Sequence, residues 1–155
     1  MDSPEEYIAR LEKFRARLQS ELPPFVATTA MNAKALIQSR IQERGLNSDE
    51  EVLGIYTSEP YKKKREKKGR QTEYVDVTFT RGGAGMLGST GIVSETFVNG
   101  IVTVKVAGKD DFTQNKLDWN SDRYGDILET TKKEDALLLS TFEDFLQQLI
   151  DETNL

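Results

Sequence analysis

The sequence contains no cysteine and no histidine among its 155 residues. Without these side chains the chain has no thiolate nucleophile, no Ser–His–Asp triad, no zinc-finger site and no redox CxxC pair. Any remaining chemistry would use carboxylates, lysine, tyrosine or bound magnesium. The composition therefore favours a binding or structural protein over an enzyme.

Long hydrophobic runs are also missing. No apolar run approaches the roughly 18 residues that a membrane-spanning helix needs. The first residues, MDSPEEYIAR, are acidic and contain no signal-peptide hydrophobic stretch. A domain of this length buries roughly 70% of its unfolded surface without a metal or a disulfide. We therefore expect a soluble protein made in the cytoplasm, with no cofactor and no membrane partner.

What the sequence does have is an uneven distribution of charge. The formal net charge is −5, but residues 62–70, KKKREKKGR, carry seven basic residues and one Glu. This stretch, which we call the basic segment, is therefore +6, and the other 146 residues total −11. Such polarity favours an oriented contact with an anionic surface, including another copy of the chain. The candidate contact residues are Lys62, Lys63, Lys64, Arg65, Lys67, Lys68 and Arg70.

Three interpretations of the basic segment stay open at the sequence level. The first is a solvated or disordered loop with no partner. The second is contact with an acidic protein surface. The third is sequence-independent contact with duplex DNA, since lysine and arginine neutralise phosphates. Stacking on single strands is disfavoured, because the only nearby aromatic residues are Tyr56, Tyr61 and Tyr74.

Hydrophobic spacing predicts two helices in the N-terminal part. The first begins at Ser3-Pro4, where a capping hydroxyl precedes a proline and two acids. Its apolar stripe is Tyr7, Ile8, Leu11, Phe14, Leu18 and Leu22. Pro23-Pro24 is expected to end it, and a second helix is expected from about Phe25 to Arg44, with Gly45 as its stop. Because the first stripe is narrow, we expect an N-terminal helical arm over 1–24 and an α+β domain over 25–155.

The apolar period then changes from helical spacing to two. Residues 72–80, TEYVDVTFT, alternate in this way and predict a strand. The β-branched runs 92–98 and 101–107 are joined by Asn99-Gly100, which predicts a hairpin with a type I′ turn.

A capping box of Thr131 and Glu134 opens a C-terminal helix from about Lys132 to Asp151. Its buried side is expected to carry Leu138, Phe142, Phe145, Leu146 and Leu149. The element order predicts an α+β fold. Two N-terminal helices would precede a small antiparallel sheet of three or four strands with a β-hairpin, and the C-terminal helix would pack on this sheet.

Two glycine motifs in residues 81–91 are poor nucleotide sites. Gly83, Gly85 and Gly88 spell G-x-G-x-x-G, but the sequence that follows is β-branched, whereas a dinucleotide site needs a helix there. The same stretch resembles a phosphate-binding loop with Ser89 in place of the required lysine. We interpret this stretch as a flexible loop or a bulged connection between strands.

The remaining candidates are acidic clusters and the single tryptophan. Residues 49–51 and 110–111 are acidic but lack the ligand spacing of an EF-hand, so they are interpreted as exposed turn residues, and a carboxylate-based enzyme is the weakest hypothesis. Trp119 is either a binding hot spot or, with Leu117 and Tyr124, an anchor that holds a polar segment on the core.

The order of these sequence segments resembles the order found in one protein family. The small-residue helix MNAKALIQSRIQERGLNSDEE leads to Tyr56, Tyr61 and the basic segment, followed by GRQTEYVDVTFT, GGAGMLGSTGIV, the hairpin and WNSDRYGDILETTKKED. This pattern is similar to the virion-morphogenesis or tail-completion proteins of tailed bacteriophages, which are small neck components at the head–tail junction. The resemblance covers roughly residues 28–152. It departs from the family at Arg81 and the following glycines, where the family usually has Leu-Thr-Gly, an apolar residue and Ser.

The resemblance implies a function without catalysis. The chain would be a structural component of a neck or tail-completion ring around the DNA channel, assembled by head-to-tail contacts. Its partners would be further copies of itself, portal or adaptor and tail proteins of the same virion, and non-specific double-stranded DNA in the channel. It would reside in the virion, and in the host cytoplasm during assembly. Asn120, Arg123 and Gly125 lie where the family often has an Asn…Arg-Gly turn before its last helix, so the resemblance implies turn and packing residues, with Arg123 a candidate inter-subunit contact. The alternative is a nucleic-acid-binding protein that uses residues 62–70.

Overall fold

The structure is a computed structural model that describes residues 3–77 and 88–155. Within these ranges the chain forms four α-helices, one π-helical turn and a two-stranded antiparallel sheet, so the predicted α+β class is confirmed and the content is mostly helical. The helices are α1 Pro4–Ser39, α2 Glu59–Glu66, α3 Asp111–Tyr124 and α4 Lys132–Thr153, and the strands are β1 Thr90–Val98 and β2 Ile101–Gly108.

The two predicted N-terminal helices are a single helix. α1 continues from Pro4 to Ser39 through Pro23 and Pro24, so the prediction that this pair ends a helix is wrong. A proline pair removes backbone donors from one turn, but packing on both sides of that turn stabilises the helical path. Just after the pair, the ring of Phe25 stacks on that of Phe145 with centroids 4.1 Å apart.

Both ends of the N-terminal helical region follow local rules. Ser3 accepts from the Glu6 amide while the Glu6 side chain accepts from the Ser3 amide, which is a capping box. At the other end, α1 passes into a π-helical turn, Arg40–Arg44, and the helical path stops at Gly45 with φ of 65°. The predicted stop at Gly45 is therefore confirmed, and the ring of Tyr74 occupies the space where a side chain at this position would lie.

The hairpin forms as predicted, but no third strand pairs with it among the described residues. Val98 pairs with Ile101 across Asn99 and Gly100, whose φ angles of 52° and 79° are the positive values that a type I′ turn requires. The sheet has two strands among the described residues, not three or four. Of the predicted strand 72–80, residues 72–77 are described and form no strand: a bond from the Val75 amide to the Gly54 carbonyl at 2.8 Å is not extended into a ladder.

The long helix α1 is the platform on which the rest of the fold assembles. The hairpin and α4 both pack against α1, and α3 packs against β2. The C-terminal helix was predicted to pack on the sheet, and its main neighbour is instead α1. Its predicted inner face is confirmed, with Leu149 buried and the other four residues half-buried. The central core is small and consists of Ile37, Ile41, Leu53, Val77, Leu117 and Ile127.

One buried arginine joins the end of α1 to the start of α4. Arg40 is fully buried, forms an ion pair with Glu134, and donates from Nη2 to the carbonyls of Ile127 at 2.9 Å and Glu129 at 2.8 Å. Glu134 also accepts from the Thr131 amide at 2.8 Å, which confirms the predicted capping box. This network sets the position of α4 relative to α1.

Candidate functional site

The basic segment is not simply a loop. Its first residues belong to helix α2, and Lys67, Lys68 and Gly69 form the turn that follows. Pro60 lies in the first turn of this helix, where its missing amide hydrogen costs no helical bond. The cations are therefore displayed from a short helix and its C-terminal turn.

Arg65 has a structural role that separates it from its neighbours. It is buried, its Nε donates to the Gln71 carbonyl at 2.9 Å, and its Nη2 donates to Asp76 Oδ2 at 3.1 Å. Its guanidinium also lies 4.6 Å from the ring centroid of Tyr56. Arg65 therefore holds residues 71–76 against α2, which a sequence of consecutive lysines and arginines does not reveal.

The other six cations of the basic segment lie nearer the solvent. Lys62 is half-buried and pairs with Glu59 at 3.0 Å. The remaining five are exposed and make no ion pair with any residue of 3–77 or 88–155. We call these five the basic surface: Lys63, Lys64, Lys67, Lys68 and Arg70.

Arg123 lies on a second surface, on α3. Its guanidinium is 5.3 Å from the Trp119 ring centroid and 5.4 Å from that of Tyr124. Trp119 is 52% exposed, so its interpretation as a core anchor is wrong, whereas the anchor role of Leu117, which is fully buried, is confirmed. The hot-spot alternative for Trp119 stays a prediction.

Two further residues extend this surface along α3. Lys116 Nζ lies 3.9 Å from the ring centroid of the exposed Phe112. Positions 112, 116, 119 and 123 share one face of a helix, so a search for this spacing would have found the pair in the sequence. Along this face of α3, aromatic rings alternate with cations. Asn120, the residue after Trp119, is buried, because it lies about 100° further around α3, toward the side that carries the buried Leu117.

The acidic clusters have structural partners. Lys133 Nζ donates to Glu50 at 2.8 Å, and this bond lowers the pKa of the Glu50 carboxyl. Asp110 caps α3 by accepting from the Thr113 amide at 2.7 Å, which lowers the pKa of the Asp110 carboxyl. The described part of the chain contains no group of three or more acidic side chains placed to hold a metal ion.

The glycine motifs fall mostly outside the described residues. Positions 81–87 are not described, and β1 begins at Thr90, where a dinucleotide-binding motif would require a helix. The expectation that a strand follows this stretch is confirmed.

A groove of about 620 Å³ lies between α1, the hairpin and the start of α4. Its apolar lining includes Ala30, Ala33, Ile37, Val104, Val106 and Leu138. The groove also contains Lys34, whose Nζ donates to the Thr90 carbonyl at 2.8 Å. Burial and the nearby Lys109 lower the pKa of Lys34. Sequence analysis did not find this groove, because three segments distant in the chain form it.

The molecule exposes more surface than a compact protein of its size. Its accessible area is 10340 Å² for a mass of 17.5 kDa, whereas the usual scaling with mass gives about 7,900 Å². Large apolar side chains contribute to the excess, at the start of α1 with Tyr7, Ile8 and Leu11, and at the end of the hairpin with Phe97, Val98 and Ile101. Exposed apolar patches of this kind mark surfaces for association.

Comparison with models of protein families, with curated proteins and with solved structures gives no match. None of the helices at 3–77 and 88–155 combines the length and the apolar character that crossing a bilayer requires. The function must therefore be argued from the surfaces themselves.

Proposed function

We propose that this chain is a structural subunit without enzymatic activity that assembles with copies of itself. More specifically, we propose a component of the neck or tail-completion ring of a tailed bacteriophage, which joins head and tail around the DNA channel. Portal or adaptor proteins and tail proteins are its further neighbours. It resides in the virion and, during assembly, in the host cytoplasm. Residues 1–24 act as the assembly arm and 25–155 as the connector-like α+β domain.

The observation that carries this proposal is the separation of charge on the surface. The basic surface presents five cations from α2 and its following turn, while the outer side of α4 presents the exposed acids Glu143, Asp144 and Asp151. In a head-to-tail ring the same two surfaces meet at every contact, so opposite charges are brought together once per subunit. The large exposed area further supports association.

A charge-reversal experiment tests the ring. We expect Lys63→Glu with Lys64→Glu to weaken self-association, because both cations would then repel the acids of the neighbouring copy. The matched control reverses two other exposed lysines, Lys105→Glu with Lys132→Glu, and should associate like the wild type. Analytical ultracentrifugation and negative-stain electron microscopy measure the outcome.

A rescue variant makes the ring test specific. Adding Glu143→Lys and Asp144→Lys to the reversed basic surface should restore association, since the opposite charges again face each other. A wild-type chain that stays monomeric at all concentrations contradicts the assembly proposal. Electron microscopy of a virion that places the chain outside any neck or tail ring contradicts the phage assignment.

Nucleic-acid binding is the second candidate, because the basic surface carries five exposed cations within eight residues, 63–70. Binding to duplex DNA would be sequence-independent and would weaken steeply with salt. Fluorescence anisotropy with a labelled duplex at low salt measures it, and Lys63→Glu with Lys64→Glu should abolish it. Wild-type protein that does not bind at low salt rules this candidate out, whereas DNA binding by a monomer favours it over the ring.

A further inference from the structure

The first turns of α1 extend past the end of α4. Near the start of α4, Glu134 pairs with Arg40 at the end of α1. Near its end, Glu152 pairs with Arg17, so α4 runs antiparallel to α1. Because α4 ends directly after Glu152, residues 4–13 of α1 lie beyond it and span about 15 Å at 1.5 Å per residue. We call residues 4–13 the overhang.

The overhang carries one end of an apolar seam. The seam residues follow the alternating spacing of four and three that is typical of paired helices: Tyr7, Leu11, Phe14 and Leu18, then Phe25 one heptad further. The ring of Phe25 stacks on that of Phe145 in α4. Tyr7 and Leu11 lie beyond the end of α4 and are 49% and 40% exposed. The seam is therefore an established helix–helix interface that continues past the end of one of its helices.

The open part of the seam suits a helix that continues the line of α4. A helix packed antiparallel to the overhang has the same direction as α4, so its N-terminus follows the C-terminus of α4 and the two helix dipoles align head to tail. In the last turn of α4, Glu152 is paired with Arg17, and the exposed Asp151 adds negative charge near the positive end of that dipole. The geometry therefore favours an antiparallel helix that begins where α4 ends.

The overhang of a second copy is such a helix. In an antiparallel pair centred on Ala9, Tyr7 of each copy lies level with Leu11 of the other, so the open seam meets itself twice. The first residue of the second helix then lies level with position 15, next to the end of α4. The pair extends the seam without displacing α4.

Charge selects the antiparallel orientation. The first turn of α1 is acidic, with Glu5 and Glu6, whereas Lys13 and Arg15 lie further along the helix. Antiparallel pairing brings the acidic turn of each copy level with the two cations of the other, and parallel pairing would bring like charges together. Glu5, Lys13 and Arg15 are exposed and form no ion pair with any residue of 3–77 or 88–155. These three are therefore available to a neighbouring copy.

The two other charged residues of the overhang are compatible with this pairing. Arg10 lies beside the seam with its guanidinium 5.9 Å from the Tyr7 ring centroid, and Glu6 of the neighbouring copy comes within one turn of it. Glu12 lies away from the seam, toward the outer side of the helix pair. Neither residue places a like charge on the seam itself.

We infer that the overhangs of two copies pair as antiparallel helices about a twofold axis near Ala9, with Tyr7 of each copy packed on Leu11 of the other. The inference rests on the proposed self-assembly and identifies what the N-terminal arm binds. This contact is isologous, so it joins two copies and stops there. It adds to the head-to-tail contact of the proposed ring and would join two rings face to face.

The size of the contact determines how it must be measured. A helix pair about 15 Å long is much smaller than a standard interface, which buries about 800 Å² per partner. The pairing is therefore weak between isolated copies and gains strength where other contacts hold the same copies together. Covalent trapping and concentrated samples are suited to such a contact.

Disulfide trapping tests the pairing directly, because the natural chain has no cysteine. Tyr7→Cys and Leu11→Cys are prepared separately, one of them labelled with nitrogen-15, then mixed and oxidised with copper(II) phenanthroline, which accepts the two electrons as the thiols lose their protons. Mass spectrometry identifies which chains are linked. We expect the mixed disulfide, from position 7 of one chain to position 11 of the other, to exceed both homodimers.

The chain that carries both substitutions separates this pairing from a head-to-tail contact. Its two disulfides, 7 to 11 and 11 to 7, close the same pair of chains, so oxidation should stop at a dimer on a non-reducing gel. A ladder of multimers would show that the contact joins two different surfaces, which overturns the inference.

Ala9→Cys is the matched control for the trapping. Ala9 lies level with the proposed axis but on the opposite side of the helix, so this variant should give no dimer. Homodimers of Tyr7→Cys and of Leu11→Cys in place of the mixed disulfide would show that the helices pair in parallel. That result overturns the inference, and so does the absence of any disulfide under conditions where the wild type is oligomeric.

Association measurements supply an independent readout. We expect Leu11→Asp to weaken self-association at least about tenfold, equivalent to about 1.4 kcal/mol, because each pair would then bury two acids in its seam. The circular dichroism spectrum should be unchanged. Ala9→Asp adds the same charge to the overhang away from the seam and should behave as the wild type. Equal association of the two variants overturns the pairing.

The pairing and the ring can fail separately. If oligomers form and respond to reversal of the basic surface, but the mixed disulfide is absent, the pairing is wrong and the proposed function stands. If the mixed disulfide forms but reversal of the basic surface leaves association unchanged, the pairing stands and the proposed ring contact is wrong.

Discussion

At the scale of single residues, Arg40 connects segments of the fold that are far apart in the chain. It is fully buried and joins the end of α1 to the carbonyls of Ile127 and Glu129 and to Glu134 in the first turn of α4. Burial lowers its pKa below the ordinary value, and the Glu134 carboxylate acts in the opposite direction. The cation is retained because three oxygen acceptors surround it.

We predict that Arg40→Met destabilises the fold by about 3–5 kcal/mol, because Glu134 is left as a buried charge without its partner. Urea unfolding followed by circular dichroism measures the loss. The double variant Arg40→Met with Glu134→Gln should lose less, since it removes the unpaired charge and keeps an acceptor for the Thr131 amide. An Arg40→Met chain as stable as the wild type would contradict this role.

The pair of Glu50 and Lys133 predicts a dependence on pH. The bond from Lys133 holds the pKa of Glu50 below its ordinary value, so the pair stabilises the fold above the carboxyl range and loses this effect as the pH falls through the folded-state pKa. The stability difference between wild type and Lys133→Gln should therefore be small and positive at neutral pH and disappear in acid. Lys132→Gln, at an exposed lysine without an ion pair among the described residues, should show no such trend. A constant difference from neutral to acid pH would refute the assignment.

At the scale of elements, the uninterrupted helix α1 defines the fold. The hairpin, α4 and the groove are all placed along it, so its continuity through Pro23 and Pro24 sets their relative positions. A proline in a helix interior costs about 3 kcal/mol relative to alanine. Packing against α4, including the rings of Phe25 and Phe145, offsets this cost.

We predict that Pro23→Ala with Pro24→Ala raises the thermal midpoint, with a gain of roughly 4 kcal/mol for the two prolines together after allowance for the entropy of the unfolded chain. Thermal unfolding followed by circular dichroism measures it. Pro4→Ala is the control, because proline at the first helical position obstructs no bond and its replacement should change little. A lower midpoint for the double variant would mean that the prolines shape a bend that the packing requires.

At the scale of the whole molecule, the separation of positive and negative charge and the large accessible area both support the proposed self-association. A +6 segment lies on a body of −11, and the accessible area is 10340 Å². The proposed contact of the basic surface with α4 places opposite charges together. This contact should therefore respond to ionic screening.

We predict that self-association weakens as the salt concentration rises from about 0.1 M to 1 M, over which the Debye length falls from about 10 Å to 3 Å. Sedimentation velocity across this range measures the effect. Association that is unchanged or strengthened by salt would show that the contacts between copies are mainly apolar.

Local features of the fold were predictable from the sequence because neighbouring residues determine them. The caps at Ser3 and Thr131, the stop at Gly45 and the Asn99-Gly100 turn each depend on a few adjacent residues, and all four are confirmed. Of the strand expected over 72–80, the described residues 72–77 form no strand, since a strand also needs a partner, and alternation cannot specify one.

The candidate sites were less predictable. The charge excess of the basic segment is visible in the sequence, but Arg65 is buried while the adjacent Lys64 is exposed, and only the positions of Tyr56 and Asp76 explain the difference. Trp119 likewise faces outward because Leu117 occupies the inner side of α3. In both cases the rotation of the helix relative to residues that are distant in the chain determines which side chain faces solvent.

The sequence by itself determined the chemistry this protein lacks, its polarity of charge and its local turns and caps, because these depend only on residue identity or on immediate neighbours. The tertiary structure alone decided that α1 passes unbroken through two prolines, which cations reach the surface, and that a groove forms between α1, the hairpin and the start of α4. These features depend on free energies of packing between segments far apart in the chain, which no local pattern encodes.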